Sequence, residues 1–336
     1  MYSKLIVSSI ISAIFIGIGN GEVIGDQASN CFHAPNVCPN KNITFWLYTW
    51  DNQQNGIQLD IDNRKKLNNQ LPSKEKPIKI LIHGYLGGKN DTFNNVTREA
   101  IFKLDDPYVI SVDWSPLTQV NCTLTSARNT RVVGNCIANL IDKLIGNARI
   151  LLEKIHVIGF SYGAQTAGFI SPNLKCGKKL AWISGLDPSL QYFDTPDKSQ
   201  QLDQTDADYV DVYHAAIGYR SQIKRVGHCA FYFNDGQNQP GCRKLDLDQT
   251  YRHLCSHERS FKYYAGSVTH KLWVERCGGL PLHKCNPVTD IRAGYYVPYG
   301  TSGVFRVITT NYTNEKLNVN DDDVVKQLAQ LKEQPK

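Results

Sequence analysis

The chain has no CxxC pair, no His/Cys grouping at zinc-finger spacing and no calcium-loop carboxylate pattern. These gaps set aside a structural zinc site and a calcium-dependent reaction. Its basic residues form no runs. The net charge of +6 is spread along 336 residues, which argues against nucleic acid as a partner and allows only mild attraction to an anionic membrane surface. No internal repeat, low-complexity block or Pro/Gly-rich linker divides the chain, so a single domain is expected. Beyond the first 25 residues no apolar stretch is long enough to cross a bilayer.

What is present at the N-terminus is Lys4, an apolar stretch from Leu5 to Ile18, and then small residues. That layout reads as a secretory signal over residues 1–21. A membrane anchor is the alternative, but no basic stop-transfer cluster follows. Ten cysteines and five N-x-Ser/Thr triplets, at Asn42, Asn90, Asn95, Asn121 and Asn311, fit a secreted, disulfide-linked glycoprotein. The domain is placed at residues 22–313, with a polar tail at 314–336.

Five short apolar segments read as strands: Ile78–Ile82, Tyr108–Val112, Lys154–Ile158, Leu180–Ile183 and Tyr209–Tyr213. Their spacing leaves room for helices between most of them, so an α/β fold with a largely parallel sheet is expected. The apolar positions of Asn139–Leu152 form one helical face that should pack on the sheet. After Cys242 the strand and helix rhythm weakens, and loops are expected.

Within this pattern stands Gly159-Phe-Ser-Tyr-Gly163, between an apolar strand and helix-forming residues. Glycines on both sides of Ser161 permit a sharp strand-to-helix turn that lifts its hydroxyl above a helix N-terminus. A serine nucleophile needs a base, and the base needs a carboxylate. His257, in a loop pinned by Cys255, is the best-placed base among nine histidines. His83, His214 and His228 sit at strand ends and read as core or turn residues. Asp187 follows the next strand after Ser161, and Pro188 stops helix continuation there. Asp203, Asp206, Asp208 and Asp211 compete, but read as a solvated approach to the following strand. Backbone amides of Tyr162 and of Tyr85, after the strand ending at His83-Gly84, are the expected oxyanion donors.

These residues, with HGY at 83–85, VDWS at 112–115, NTRVVG at 129–134, GFSYG at 159–163, GLDPS at 185–189, DADYVDVYH at 206–214, VGHCAFYFNDGQNQPGC at 226–242 and CSHERS at 255–260, resemble in order and spacing the pancreatic lipase family of animals. The resemblance covers roughly residues 38–310. It implies an α/β-hydrolase fold with helices on both faces, stabilised by disulfides, acting on carboxylic esters of lipids without metal or cofactor. By position it implies Ser161 as nucleophile, Asp187 as acid, His257 as base and a Cys242–Cys255 bridge closing the lid. It also supports a Cys277–Cys285 pair. Cys31, Cys38, Cys122 and Cys136 are expected to pair among themselves, which leaves Cys176 with Cys229.

The chain stops near where the family's hydrolase domain would, so no C-terminal β-sandwich is expected. The lid segment Arg243–Leu254 has 12 residues and is polar, and the loop from His214 to Gly227 is also short. Among members of the family, that favours a phospholipid over an oil droplet. The expected protein is therefore a monomeric phospholipase A1 working at a membrane or micelle surface. A triacylglycerol lipase and a non-catalytic lipid-binding or storage relative are the alternatives. Departures from the family pattern are Phe160, Tyr162, Ala230 and the segment following Pro188; they bear on substrate preference and turnover.

Overall fold

The computed structural model describes residues 25–242 and 249–311, with Thr250, Tyr251 and Asn311 described by backbone alone. The expected signal and the polar tail lie outside the described residues. Among the described residues, eleven strands form one sheet. They are β1 Thr44–Thr49, β2 Asn52–Gln58, β3 Ile78–Ile82, β4 Tyr108–Asp113, β5 Ile155–Phe160, β6 Leu180–Leu186, β7 Ala207–His214, β8 Cys229–Phe233, β9 Leu272–Cys277, β10 Asn286–Ala293 and β11 Gly303–Val307. Their spatial order is β10-β9-β11-β8-β7-β6-β5-β3-β4-β1-β2. The seven strands from β11 to β4 are mutually parallel, and antiparallel strands close both edges. This is the α/β-hydrolase fold expected from the sequence.

Helices α1 Arg64–Gln70, α2 Thr92–Leu104, α3 Thr123–Gly146, α4 Tyr162–Gly168 and α5 Gln249–Thr269 cover the sheet. The two-residue period of each strand divides its side chains between two cores. Ile78, Ile80 and Ile82 of β3 join Val133, Ile137, Leu140 and Ile141 of α3 on one face. Leu81 points the other way, into a core shared with Phe93 and Ile101 of α2 and Phe261 and Tyr264 of α5. Each fully buried Ile, Val or Phe contributes about 1.5–3 kcal/mol by leaving water. Because both faces are covered, the central strands read as continuous apolar runs.

All five expected strands are present. The helix expected over Asn139–Leu152 is longer and earlier, because the polar-looking first half of α3 also buries Thr125, Ser126, Asn129 and Thr130. The segment after Cys242 is not a set of loops. It carries α5 and β9–β11, with α5 amphipathic through Phe261, Tyr264, Ala265 and Val268 at helical spacing.

Four disulfides are formed: Cys31–Cys122, Cys38–Cys136, Cys242–Cys255 and Cys277–Cys285. The first two tie the N-terminal segment to α3 across sequence separations of 91 and 98 residues. In the chain-entropy account, closing the first such loop is worth about 4–5 kcal/mol, and the second less because its loop is already closed. The expected Cys176–Cys229 bridge is wrong. Cys229 lies in register with Asp211 and through it with Ser184, while Cys176 precedes Leu180 at the foot of β6. At about 3.3 Å per residue the two sit well over 10 Å apart along the strands, beyond disulfide reach. Cys176 is exposed and Cys229 is buried, both as free thiols.

Candidate active site

The carboxyl ends of β3, β5, β6 and β7 converge on one rim. Strand β5 runs to Phe160, and α4 begins at Tyr162, so Ser161 alone makes the turn, with φ 56° and ψ −118°. That backbone conformation is costly for a residue with a side chain and is characteristic of functional sites. It is held by close backbone packing. A Cβ on Gly159 would come within 2.3 Å of the Gly163 carbonyl oxygen, and one on Gly163 within 2.0 Å of the Ile82 carbonyl oxygen. Only hydrogen fits at either position. The Ser161 amide donates to Leu186 O at 3.0 Å, which fixes the serine turn beside the end of β6.

Asp187 follows directly and is fully buried, also at positive φ. Its Oδ1 accepts from the Ala215 and Ala216 amides at 2.7 and 3.2 Å, and its Oδ2 accepts from His257 Nδ1–H at 2.5 Å. Held by these three bonds, the carboxylate fixes the imidazole tautomer with Nε2 unprotonated. His257 lies on α5, not in the expected loop, eight residues into the helix and two after the Cys255 bridge. The ring of Phe160 covers it, with centroids 4.6 Å apart, and Phe160 also meets Phe261 and Phe93. Ser161 and His257 share no hydrogen bond among the described residues. Such bonds are commonly long until substrate is bound.

The loop after β3 supplies a third element. Trp114 N–H donates to His83 Nε2 at 3.1 Å, so the proton of the neutral ring sits on Nδ1 and is donated to Gly84 O at 2.8 Å. Burial lowers the His83 pKa and keeps the ring neutral. Because the peptide is planar and trans, pinning the Gly84 carbonyl toward His83 turns the Tyr85 N–H the opposite way. A Cβ on Gly84 would lie 2.9 Å from that of Ser161, so this loop passes directly over the serine. Neither the Tyr85 nor the Tyr162 amide donates to another group among the described residues.

The profile of the lipase family matches residues 19–279. The chain belongs to the lipase family. It is 34% identical over 228 residues to a phospholipase A1 of Vespula vulgaris, covering 63% of this chain and 66% of that protein. It is 35% identical to phospholipase A1 2 of Dolichovespula maculata, over 66% of this chain and 75% of that one. It is also 30% identical to the inactive pancreatic lipase-related protein 1 of Homo sapiens, with 67% and 51% covered. The chain thus spans two thirds to three quarters of the two phospholipases and about half of the pancreatic relative.

In this lipase-family chain the rival histidines are structural. His83 braces the loop, His214 is buried against Tyr232, and His228 accepts from the Val210 amide. The aspartates before and within β7 correct the sequence reading. Only Asp208 is exposed, while Asp203, Asp206 and Asp211 are buried. Asp206 accepts from the Asp203 amide, and Asp211 accepts from Trp182 Nε1–H and Ser184 O–H. Burial pushes the Asp206 carboxyl up to about 7. Hydrophilic spelling hid these internal bonds.

The first half of the lid, residues 243–248, lies outside the described residues, but its second half has joined α5. There His253 stacks on Tyr219 of the short loop after β7, with centroids 3.5 Å apart. Of the N-x-Ser/Thr asparagines, Asn90 and Asn121 are exposed and Asn42 is half-buried. The half-buried Asn95 donates from its amide nitrogen to Asn90 O at 2.8 Å. The Asn311 side chain lies outside the described set.

Proposed function

We propose that the chain is a secreted phospholipase A1 that cleaves the sn-1 acyl ester of glycerophospholipids through Ser161, His257 and Asp187. The observation that carries the reading is the buried, hydrogen-bonded Asp187–His257 pair beside a serine held at a strained strand-to-helix turn. His257 Nε2 takes the Ser161 proton as the oxygen attacks the ester carbonyl. Asp187 stabilises the imidazolium without taking its proton. The Tyr85 and Tyr162 amides, and the α4 N-terminus, hold the oxyanion. The imidazolium then gives its proton to the leaving lysophospholipid alkoxide. Water, deprotonated by the same ring, releases the acyl group from Ser161.

Similarity to proteins named phospholipase A1 supports the substrate class, as does the short polar lid segment 243–254. Four disulfides support an oxidising, extracellular setting. The test is incubation of purified protein with phosphatidylcholine carrying distinguishable chains, beside trioleoylglycerol and a Ser161→Ala control. Release of the sn-1 chain by wild type alone is expected. Hydrolysis of the triglyceride alone would make the chain a short-lidded triacylglycerol lipase. Cleavage of neither would favour a non-catalytic relative, the reading to which the inactive human protein lends weight.

A further inference from the structure

Next to the nucleophile turn lies a groove with no role in the chemistry above, of about 300 Å³. One wall is a single face of α3, formed by Leu124, Ala127, Arg128 and Arg131, and the other is Tyr192 and Gln200 of the loop after β6. The fold places it on the catalytic rim. Helix α3 starts after the carboxyl end of β4, and the Tyr192 loop starts after the carboxyl end of β6, at Asp187. Helix side chains lean toward the N-terminus, so both arginines, in the first three turns, reach back toward that rim.

The link to Ser161 is short. The Tyr162 hydroxyl, from the residue after the nucleophile, donates to Thr123 O at 3.3 Å, and the Tyr192 hydroxyl meets Thr123 Oγ1 at 2.9 Å. Thr123 begins α3, and the groove opens at Leu124. Both tyrosines therefore meet at Thr123, at the end of the groove nearer the serine.

The charge in the groove lacks an internal partner. Arg128 and Arg131 are three residues apart on one helix face, where like charges repel. No carboxylate of the described residues lies within salt-bridge distance of either guanidinium; Asp197, before Gln200, acts on Arg131 only through its field. Burial and the neighbouring Arg128 both lower the pKa of Arg131. Arg131 is nonetheless held in place, stacked 4.8 Å over the Phe169 ring and bonded to Gln200 Oε1. A fixed guanidinium and an exposed one, facing a hydroxyl and an amide, match a tetrahedral anion.

We propose that Arg128 and Arg131, with Tyr192, bind the phosphodiester of the glycerophospholipid while its sn-1 ester lies at Ser161. The proposal rests on the phospholipase reading and adds the groups that favour a phospholipid over a neutral glyceride. The apolar stems of Leu124 and Ala127 give the glycerol side a dry floor.

The experiment uses the purified mature protein with dihexanoyl phosphatidylcholine and dihexanoylglycerol, both below their micellar concentrations so that surface binding is removed. Arg128→Glu should lower kcat/KM for the phospholipid about tenfold to a hundredfold, the range of a lost charge-assisted bond. It should leave the neutral diester within about twofold. Arg131→Lys, which keeps the charge and loses the planar fork, should show a smaller loss of the same selectivity with an unchanged melting temperature. Equal losses on both substrates, or no loss on the phospholipid, would overturn the assignment.

A binding arm separates the two readings. Glycerophosphocholine and inorganic phosphate are titrated into Ser161→Ala with and without Arg128→Glu. If wild type hydrolyses only the neutral diester, the phospholipase reading fails, and Arg128-dependent binding of glycerophosphocholine still upholds the groove. Binding of inorganic phosphate alone would instead define a free-anion site and remove the head-group assignment.

Discussion

Two constellations of serine, histidine and aspartate stand some distance apart on this sheet, and only one has the order that the proposed reaction needs. At the carboxyl rim are Ser161, His257 and Asp187. Within the α5-side core a second set crosses β5, β6 and β7: His156 Nε2 meets Ser184 Oγ at 2.9 Å, and Ser184 donates to Asp211 Oδ1 at 2.8 Å. Lys79 completes the chain at His156 Nδ1, 3.3 Å away. By distance alone the buried set looks more complete, because its serine and histidine already touch. Its order is wrong, however. Asp211 holds the serine, not the far side of the imidazole, and so leaves Ser184 O–H as a donor instead of freeing it as a nucleophile. Ser184 also lies in mid-strand, fully buried, with no helix N-terminus beneath it. Position on the fold, more than residue type, separates a catalytic serine from a structural one.

The widest separation between the two sets should come from their carboxylates. Asp187→Asn should lower kcat/KM about 10³- to 10⁴-fold, because the amide no longer holds the Nδ1–H tautomer or stabilises the imidazolium. Asp211→Asn should stay within about threefold of wild type. Steady-state hydrolysis of a short neutral ester measures both. A large loss in Asp211→Asn with an unchanged melting temperature would mean that the buried set is coupled to turnover after all.

The glycines beside the two serines give a smaller contrast, read in stability. Gly163→Ala drives a Cβ into the carbonyl oxygens of Ile82 and His83, at 2.0 and 2.6 Å, and backbone of two packed elements cannot yield. A loss upwards of about 3 kcal/mol is expected. Gly185, next to Ser184, faces Leu202 Cδ2 at 2.7 Å, the mobile end of a side chain. Gly185→Ala should cost about 1 kcal/mol. Denaturant midpoints for the pair decide it, and equal costs would show that the Ser161 turn is no more tightly enclosed than a strand interior.

Much of this was legible in the sequence where local pattern and environment agree. The runs at Ile78–Ile82 and Lys154–Ile158 are mostly apolar because both sheet faces are covered, and the two glycines around Ser161 announce a turn that nothing else would require. Legibility failed where polar residues are buried with partners from distant segments. Asn129 is inside α3 because it bonds Phe32 O and Leu117 O, 97 and 12 residues away. Asp211 is inside β7 because Trp182 and Ser184 meet it. His257 was read as a base and placed in a loop, but it lies on a helix, which starts in the polar lid segment. The arginine groove was not read, although Arg131 stands in the NTRVVG motif, because Arg128 and Arg131 form a groove only with a loop some 60 residues later.

The least expected effect on activity, and a defined one on stability, belongs to the titration of the buried set. Burial raises the Asp211 carboxyl to about 6 against an ordinary value of 3.8, while hydrogen bonds from Trp182 and Ser184 pull it part of the way back. Between those two values the folded state holds a proton that the unfolded state has released. The stabilising contribution is therefore complete below pH 3.8 and is lost as pH rises through about 6. Asn at this position mimics the protonated carboxyl, with Oδ1 still accepting from Trp182 and Ser184. Asp211→Asn should thus match wild type near pH 4 and exceed it by up to about 3 kcal/mol at pH 7. Denaturant unfolding at the two pH values measures the difference. A gap that widens toward acid would mean that Asp211 is ionised in the fold, paired with Lys79 through His156 and Ser184, and the inner set would then be an ion-pair relay instead of a neutral hydrogen-bonded chain.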